Sequence, residues 1–250
     1  MLRLRSWILG LLPWLDVLAL ISWGSLMLKY HATGQLRLLI HPNYAPLTLA
    51  AGFVLLIVGC LRLLYLLRRK GVVQELPHFT LLPPGLGMGL LTGVAIAGLI
   101  IPPTVLASDT ALQRGISDTL PVTQTQVQSF KNPTPPEERS LIEWVRTLNA
   151  YPEPDAYTDQ AVDVTGFVVQ PPELPKDYLL VSRFVITCCA VDAYPVGLPV
   201  RVGDRNNYPA DSWLRVQGVM ATETFGSRRQ LIIDPEEIEI IDTPDDPYEF

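Results

Sequence analysis

Histidine is nearly missing from this sequence: His31, His41 and His78 all lie in its first third, and none follows. A cysteine, serine or threonine nucleophile needs a base within hydrogen-bond reach, most often an imidazole, so the rest of the chain lacks the usual partner for nucleophilic catalysis. A glycine-rich phosphate loop, a His-Glu-x-x-His helix and a Gly-x-Ser-x-Gly nucleophile elbow are absent as well. The expectation is a protein that is not an enzyme. Cysteine is equally sparse. Cys60, Cys188 and Cys189 are too few for a disulfide framework, and neighbouring cysteines close only a strained ring. Cations are short in the C-terminal part, where residues 107–250 carry eleven Lys/Arg against twenty-three carboxylates. Phosphate binding needs clustered cations, so no nucleic-acid partner is expected.

What the chain does have is apolar length, unevenly placed. Residues 1–106 hold eight Lys/Arg and only two carboxylates, Asp16 and Glu75, so a basic, apolar part precedes an acidic, water-facing one. Three apolar stretches, about residues 7–28, 47–67 and 81–106, each reach the roughly 20 residues needed to cross a ~30 Å hydrocarbon core. The expectation is a multi-pass protein of the cell membrane, with three N-terminal transmembrane helices in residues 1–106 and the lipid bilayer as a partner. Arg3 and Arg5 before the first stretch also suit a signal peptide; its length, its Trp7, Trp14 and Trp23, and the lack of a small-x-small cleavage site favour a retained helix. Three spans place Arg3, Arg5, Arg68, Arg69 and Lys70 on one side. The positive-inside rule then puts the N-terminus in the cytoplasm, and the 29–46 loop and residues 107–250 outside it.

Residues 107–160 read as a connector. Thr134-Pro135-Pro136-Glu137 has the pattern of an N-cap, a first-turn proline and a capping-box glutamate. Leu141, Ile142, Trp144, Val145 and Leu148 then recur at helical spacing, which predicts an amphipathic helix over 135–149, lying either on the following domain or on the membrane surface. From residue 161 the pattern changes to β-branched segments split by Pro, Gly and Asn: 162–169, 178–187, 197–202, 213–220 and 230–241. Five short strands predict a small all-β, extracytoplasmic domain over 161–250, an OB-like barrel with a β-sandwich as the alternative.

Cys188, Cys189 and Asp192 are the candidate chemical residues. On a regular strand adjacent side chains point to opposite faces, so only one thiol would enter the core. Three readings stay open: two small buried hydrophobes, ligands with Asp192 for a soft metal ion, or a redox or transfer thiol pair. In the apolar part, Gly85, Gly89 and Gly93 recur every four residues and predict a helix face for close packing, within the chain or against another subunit. Asp16 is the carboxylate inside a span, either functional or bonded to local backbone. Arg62 is expected to snorkel to the interface. His31 and His41 fall in a loop, where solvation is the simpler reading than metal ligation.

Several strings together resemble one family. They are His31-Ala32-Thr33-Gly34, Ile40-His41-Pro42, Val164-Thr165-Gly166-Phe167-Val168, Arg183-Phe184 leading to Cys188-Cys189-x-x-Asp192-Ala193, Trp213-x-x-Val216-x-Gly218 and Pro244-x-x-Pro247-Tyr248. The resemblance is to the YcgQ-type bacterial permease subunits and covers nearly the whole chain. Cys-Cys-x-x-Asp-Ala is its most specific element. One departure is Val191, where the pattern has alanine directly before the aspartate, with Ala190 preceding it here. The resemblance implies an accessory membrane subunit working beside a larger, separately encoded permease of the YcgR type, with the substrate unstated. The rival expectation is a membrane-anchored metal- or thiol-handling protein that uses Cys188, Cys189 and Asp192, a soft metal ion being the one cofactor in view.

Overall fold

The computed structural model describes residues 2–68, 85–116, 134–226 and 228–250, with side chains from Leu11 onward. The chain divides into two units, Met1–Thr104 and Val105–Phe250.

The first unit is helical. Helix α1 spans Leu2–Ala32, α2 spans Ala45–Arg68 and α3 spans Leu86–Ile100. Small residues let them approach. A Cβ on Gly24 would meet Leu56 and the Gly52 carbonyl oxygen, one on Gly59 would meet Ile21, and one on Gly98 would meet Leu26 and the Tyr30 hydroxyl. Polar side chains of α1 reach exposed carbonyls of α3: Trp23 Nε1 donates to Leu91 O (3.0 Å), Tyr30 Oη to Gly98 O (2.7 Å) and Lys29 Nζ to Leu99 O (2.7 Å). The last two satisfy C-terminal carbonyls of α3, where a cation also meets the negative end of the helix dipole.

Among the described residues, two helical segments and not three are long and apolar enough to cross a membrane: Leu11–Ala32 and Pro42–Arg68. The expected third span over 81–106 is corrected in length, its described helix being shorter. Helix α3 has 15 residues, or about 22 Å at 1.5 Å per residue, short of a ~30 Å core. It stops at Ile101, which is extended because Pro102 follows and disfavours the helical region for the residue before it. Positions 69–84, including Arg69, Lys70, His78 and the start of that expected span, lie outside the described residues.

The second unit is β-rich. Its strands are β1 (Ala161–Val169), β2 (Tyr178–Val185), β3 (Tyr194–Arg201), β4 (Trp213–Phe225), β5 (Arg228–Ile241) and β6 (Tyr248–Glu249). They form one mixed sheet in the order β1-β4-β5-β3-β2-β6, and β1 also pairs with β2, so the pairings return to the starting strand. The β3–β5 and β2–β6 pairs are parallel, the others antiparallel. Two glycines permit the curvature. At Gly166 a Cβ would meet Ser182 O at 2.6 Å, where β1 leaves β4 for β2. Gly218 sits at a register shift opposite Pro235, a position where proline costs no ladder hydrogen bond.

Two short helices, α4 (Ser108–Arg114) and α5 (Leu141–Ala150), belong to this unit. The start of α5 differs from the expected one. Pro136–Glu138 is a separate 3-10 turn and Arg139 is extended; Ser140 is the N-cap, in a capping box with Glu143. Both Thr134 and Ser140 have a glutamate three residues on, but only Ser140 stands directly before the apolar stripe. That stripe, Leu141, Ile142, Trp144, Val145 and Leu148, is buried in the β-domain core with Val168, Leu179, Leu198, Val216 and Ile233. Trp144 packs edge-on against Tyr157, whose hydroxyl donates to Thr147 O and Tyr151 O.

Candidate functional site

The β2–β3 hairpin carries the site. All eight residues of β2 pair with β3, from Tyr178↔Arg201 to Val185↔Tyr194, so residues 186–193 form the connecting loop. Strand β2 was expected to run to residue 187 and to throw the two cysteines to opposite faces. It ends at Val185 instead; Cys188 sits in the bend that follows and Cys189 at a single bridge position beyond it, where the alternation of a continuous strand no longer applies. Their sulfur atoms lie 3.6 Å apart, both thiols are free, and neither residue is buried. The reading of two core hydrophobes is therefore corrected.

Asp192 organises this loop. Its Oδ2 accepts the Cys188 N–H (2.9 Å) and its Oδ1 accepts the Cys189 N–H (3.1 Å), while its own N–H donates to Cys189 O (3.0 Å). Two successive amides gripping one carboxylate fix the backbone at both cysteines. Arg114 at the end of α4 ties the far side of the loop by donating to Ala190 O and Ala193 O. The three donor atoms of Cys188, Cys189 and Asp192 lie within 4.8 Å of one another, enough to reach one ion.

Electrostatics follow from this contact. The Cys188 thiol is pushed up to about 11, first by its hydrogen bond to Asp192, then by that to Cys189. Burial would raise the Asp192 carboxyl, but hydrogen bonds from the Cys188 thiol and from the amides of Cys189, Cys188 and Thr187 outweigh it and hold the pKa below the ordinary range. Cys188 is thus a protonated thiol at neutral pH, a poor nucleophile until a cation displaces its proton.

The other sequence candidates scatter. Gly85 is not on a helix face; it precedes α3 with φ +85 and a Cβ there would strike Leu12, whereas Gly89 and Gly93 have open space beside them. Helix packing falls instead to Gly24, Gly52, Gly59 and Gly98, and the seven-residue repeat of Gly52 and Gly59 was the available signal. Arg62 was expected to reach the interface, and Asp16 to be functional, to bond local backbone or to face a polar gap. Instead they pair at 2.7 Å between α2 and α1. The pair borders a cleft of about 450 Å³ lined by Trp23, Leu55, Val58 and Met88 among others. His31 is exposed at the end of α1, and His41 Nδ1 accepts the Asn43 N–H as the cap of a short turn. Among the described residues, neither histidine joins a group of three or more metal-ligand donors.

Two domain profiles match the chain: the DUF1980 N-terminal domain over residues 15–117 and the DUF1980 C-terminal domain over residues 136–250. The chain belongs to the DUF1980 family. The C-terminal match starts at the Pro136 turn, so it takes α5 together with the β-domain, in agreement with the shared core. UPF0703 protein YcgQ of Bacillus subtilis (strain 168) is 24% identical over 102 residues, which is 40% of this chain and 36% of that protein. The matched stretch thus spans about a third of that curated relative's length, and the YcgQ-type resemblance read from the motifs holds. No solved structure matches the chain.

Proposed function

We propose that this chain is an accessory subunit of a bacterial membrane permease, anchored by α1 and α2 and presenting an OB-like barrel built on the returning β1–β4–β5–β3–β2 pairings. The role is non-enzymatic. The observation that carries the reading is the surface of the helical unit. Phe53, Val54, Ile57, Leu61 and Leu64 of α2 and Leu90 and Val94 of α3 are exposed, and the Asp16–Arg62 ion pair joins α1 to α2. Such a surface is stable only when lipid or another apolar chain covers it. Two long apolar helices and so little intramembrane charge make a poor conduction path, so a separate polytopic partner of the YcgR type supplies it. The open Gly89/Gly93 side of α3 offers that partner close approach.

In this reading α1 is a retained helix, the N-terminus is cytoplasmic, and α3 crosses with local thinning of the bilayer, leaving the β-domain outside. Were α3 to stay on one side, the β-domain would be cytoplasmic. Cys188 is exposed and reports the difference directly. A membrane-impermeant maleimide applied to intact cells is expected to label Cys188 or Cys189. The test of the subunit role is affinity purification from native membranes in mild detergent. A co-purifying polytopic membrane protein supports it, and recovery of this chain alone refutes it.

A further inference from the structure

We infer that Cys188, Cys189 and Asp192 form a site for one divalent d10 cation of the zinc–cadmium type, held on the β2–β3 loop with an open coordination position. The inference is independent of the permease reading.

Three features of the loop converge on this ligand. First, the spacing of the sulfurs is that of a chelate. Two thiolates bound at about 2.3 Å to a tetrahedral ion stand roughly 3.8 Å apart, and the two Sγ atoms here are 3.6 Å apart. A disulfide would require about 2.05 Å, and two thiols turned to opposite faces of a strand could share no ion. Secondly, the third donor is already in position. The Asp192 carboxylate accepts the two cysteine amides and also the Cys188 thiol, so the position that thiol proton occupies is the one an ion takes when the thiol ionises. The carboxylate lies with both sulfurs inside a 4.8 Å group, so carboxylate and thiolates reach one ion with little rearrangement. The carboxylate has a double part: it is a ligand, and through the amides it sets the backbone that turns both thiols to one side.

Thirdly, the charge balance calls for a cation. Three donors that would each carry a negative charge lie within 4.8 Å of one another, and their mutual repulsion is an obstacle to gathering them without a cation. A divalent ion removes that obstacle: each thiol releases one proton to solvent as its sulfur–metal bond forms, and two thiolates, one carboxylate and the ion leave a net charge of −1. No electron transfer is involved. Thiolate donors favour soft and borderline ions over calcium or magnesium, and the tetrahedral spacing favours a d10 divalent ion over the linear geometry of a two-thiolate copper(I) site. Exposure of the loop leaves the fourth position to water, so the site is open, as suits an ion that is taken up and passed on.

The test uses the full chain in detergent, reduced with a phosphine and stripped with a chelator, titrated with Cd²⁺ as probe. A thiolate-to-cadmium ultraviolet band saturating at one equivalent is expected, and Zn²⁺ should suppress it. Cys60→Ser, which alters the remaining cysteine, should leave the band unchanged. Cys188→Ser and Cys189→Ser should each abolish saturable binding, and Asp192→Asn should weaken it by about tenfold or more. A second measurement needs no variant: Cd²⁺ should protect Cys188 and Cys189, and not Cys60, from iodoacetamide, read by peptide mass spectrometry. Absence of the band in the wild type, alkylation unaltered by Cd²⁺, or a full band in Cys188→Ser would overturn the assignment.

Discussion

The two units treat the same apolar side chains in opposite ways. In the β-unit the large hydrophobics face inward: Trp144, Phe184, Leu198, Leu214 and Ile233 are essentially inaccessible, and ion pairs such as Arg215–Asp163 at 2.6 Å occupy the outside. In the helical unit the large hydrophobics of α2 and α3 point outward, and the contacts inside are made by glycine against Leu56, Ile21 and Leu26. A water-driven core wants volume at its centre. In the proposed membrane setting a helix bundle gains nothing by burying leucine and is held by close backbone approach and a few interhelical hydrogen bonds. The difference teaches that residues with equal hydropathy have different jobs in the two units, so substitutions should sort by unit.

The largest expected effect is in the β-unit. Trp144→Ala removes a fully buried indole between α5 and the sheet and should cost about 3–5 kcal/mol. Denaturant unfolding followed by near-ultraviolet circular dichroism would read it, and a loss under about 1 kcal/mol would mean that α5 is not part of the core. Next comes a small-to-large change that only a close-packed helix pair would feel. Gly59→Leu places a side chain where even a Cβ sits 2.9 Å from Ile21, and should destabilise the helical unit by about 1–3 kcal/mol, read as a lower midpoint of thermal aggregation in detergent.

A smaller effect is expected at the cysteine loop. Asp192→Asn keeps the shape but can accept only one of the two cysteine amides, since its NH2 group is a donor, a loss worth about 1 kcal/mol in a loop open to water. Its pH dependence has a definite sign. The folded carboxyl is held below the ordinary 3.8, so its contribution is complete above the unfolded value and disappears as pH falls through the folded one. Amide hydrogen exchange of Cys188 and Cys189 should therefore be insensitive to Asp192 titration at neutral pH and lose protection below about pH 4. Least of all for the fold is Gly93→Leu, which faces open space and should change stability by no more than about 0.5 kcal/mol while reducing recovery of a partner from membranes. If Gly93→Leu proved as damaging as Gly59→Leu, the contrast between packed and open helix faces would break down.

Much of the β-unit was legible beforehand because burial leaves a periodic trace. The five apolar residues of α5 were readable at helical spacing, and the β-branched segments marked β1 to β5 within a few residues, β3 and β4 excepted. Tyr194-Pro195 looked like a break before a strand, yet both pair with β2, and Thr222 to Phe225 extend β4 through pairing with β5 despite their polarity. The motif Cys-Cys-x-x-Asp singled out three residues that one loop brings together, but not their arrangement. Alternation along a strand was the only rule at hand, and the strand stops at Val185. The helical unit was harder to read. Hydropathy marks apolar length, but says nothing of which glycine meets which neighbour, and so Gly85 was favoured over Gly52 and Gly59.

The sequence by itself determined the division into an apolar, basic part and an acidic β-rich part, the YcgQ-type family and the identity of the candidate ligands, because composition, spacing and motif are properties of the chain. Tertiary structure decided three further things. It set α3 at 15 residues, since a left-handed glycine and a proline pair bound it at either end. It paired Asp16 with Arg62, 46 residues apart. It also brought two thiols and a carboxylate to one side of a hairpin loop, because the grip of Asp192 on two consecutive amides fixes a bend that residue order alone does not specify.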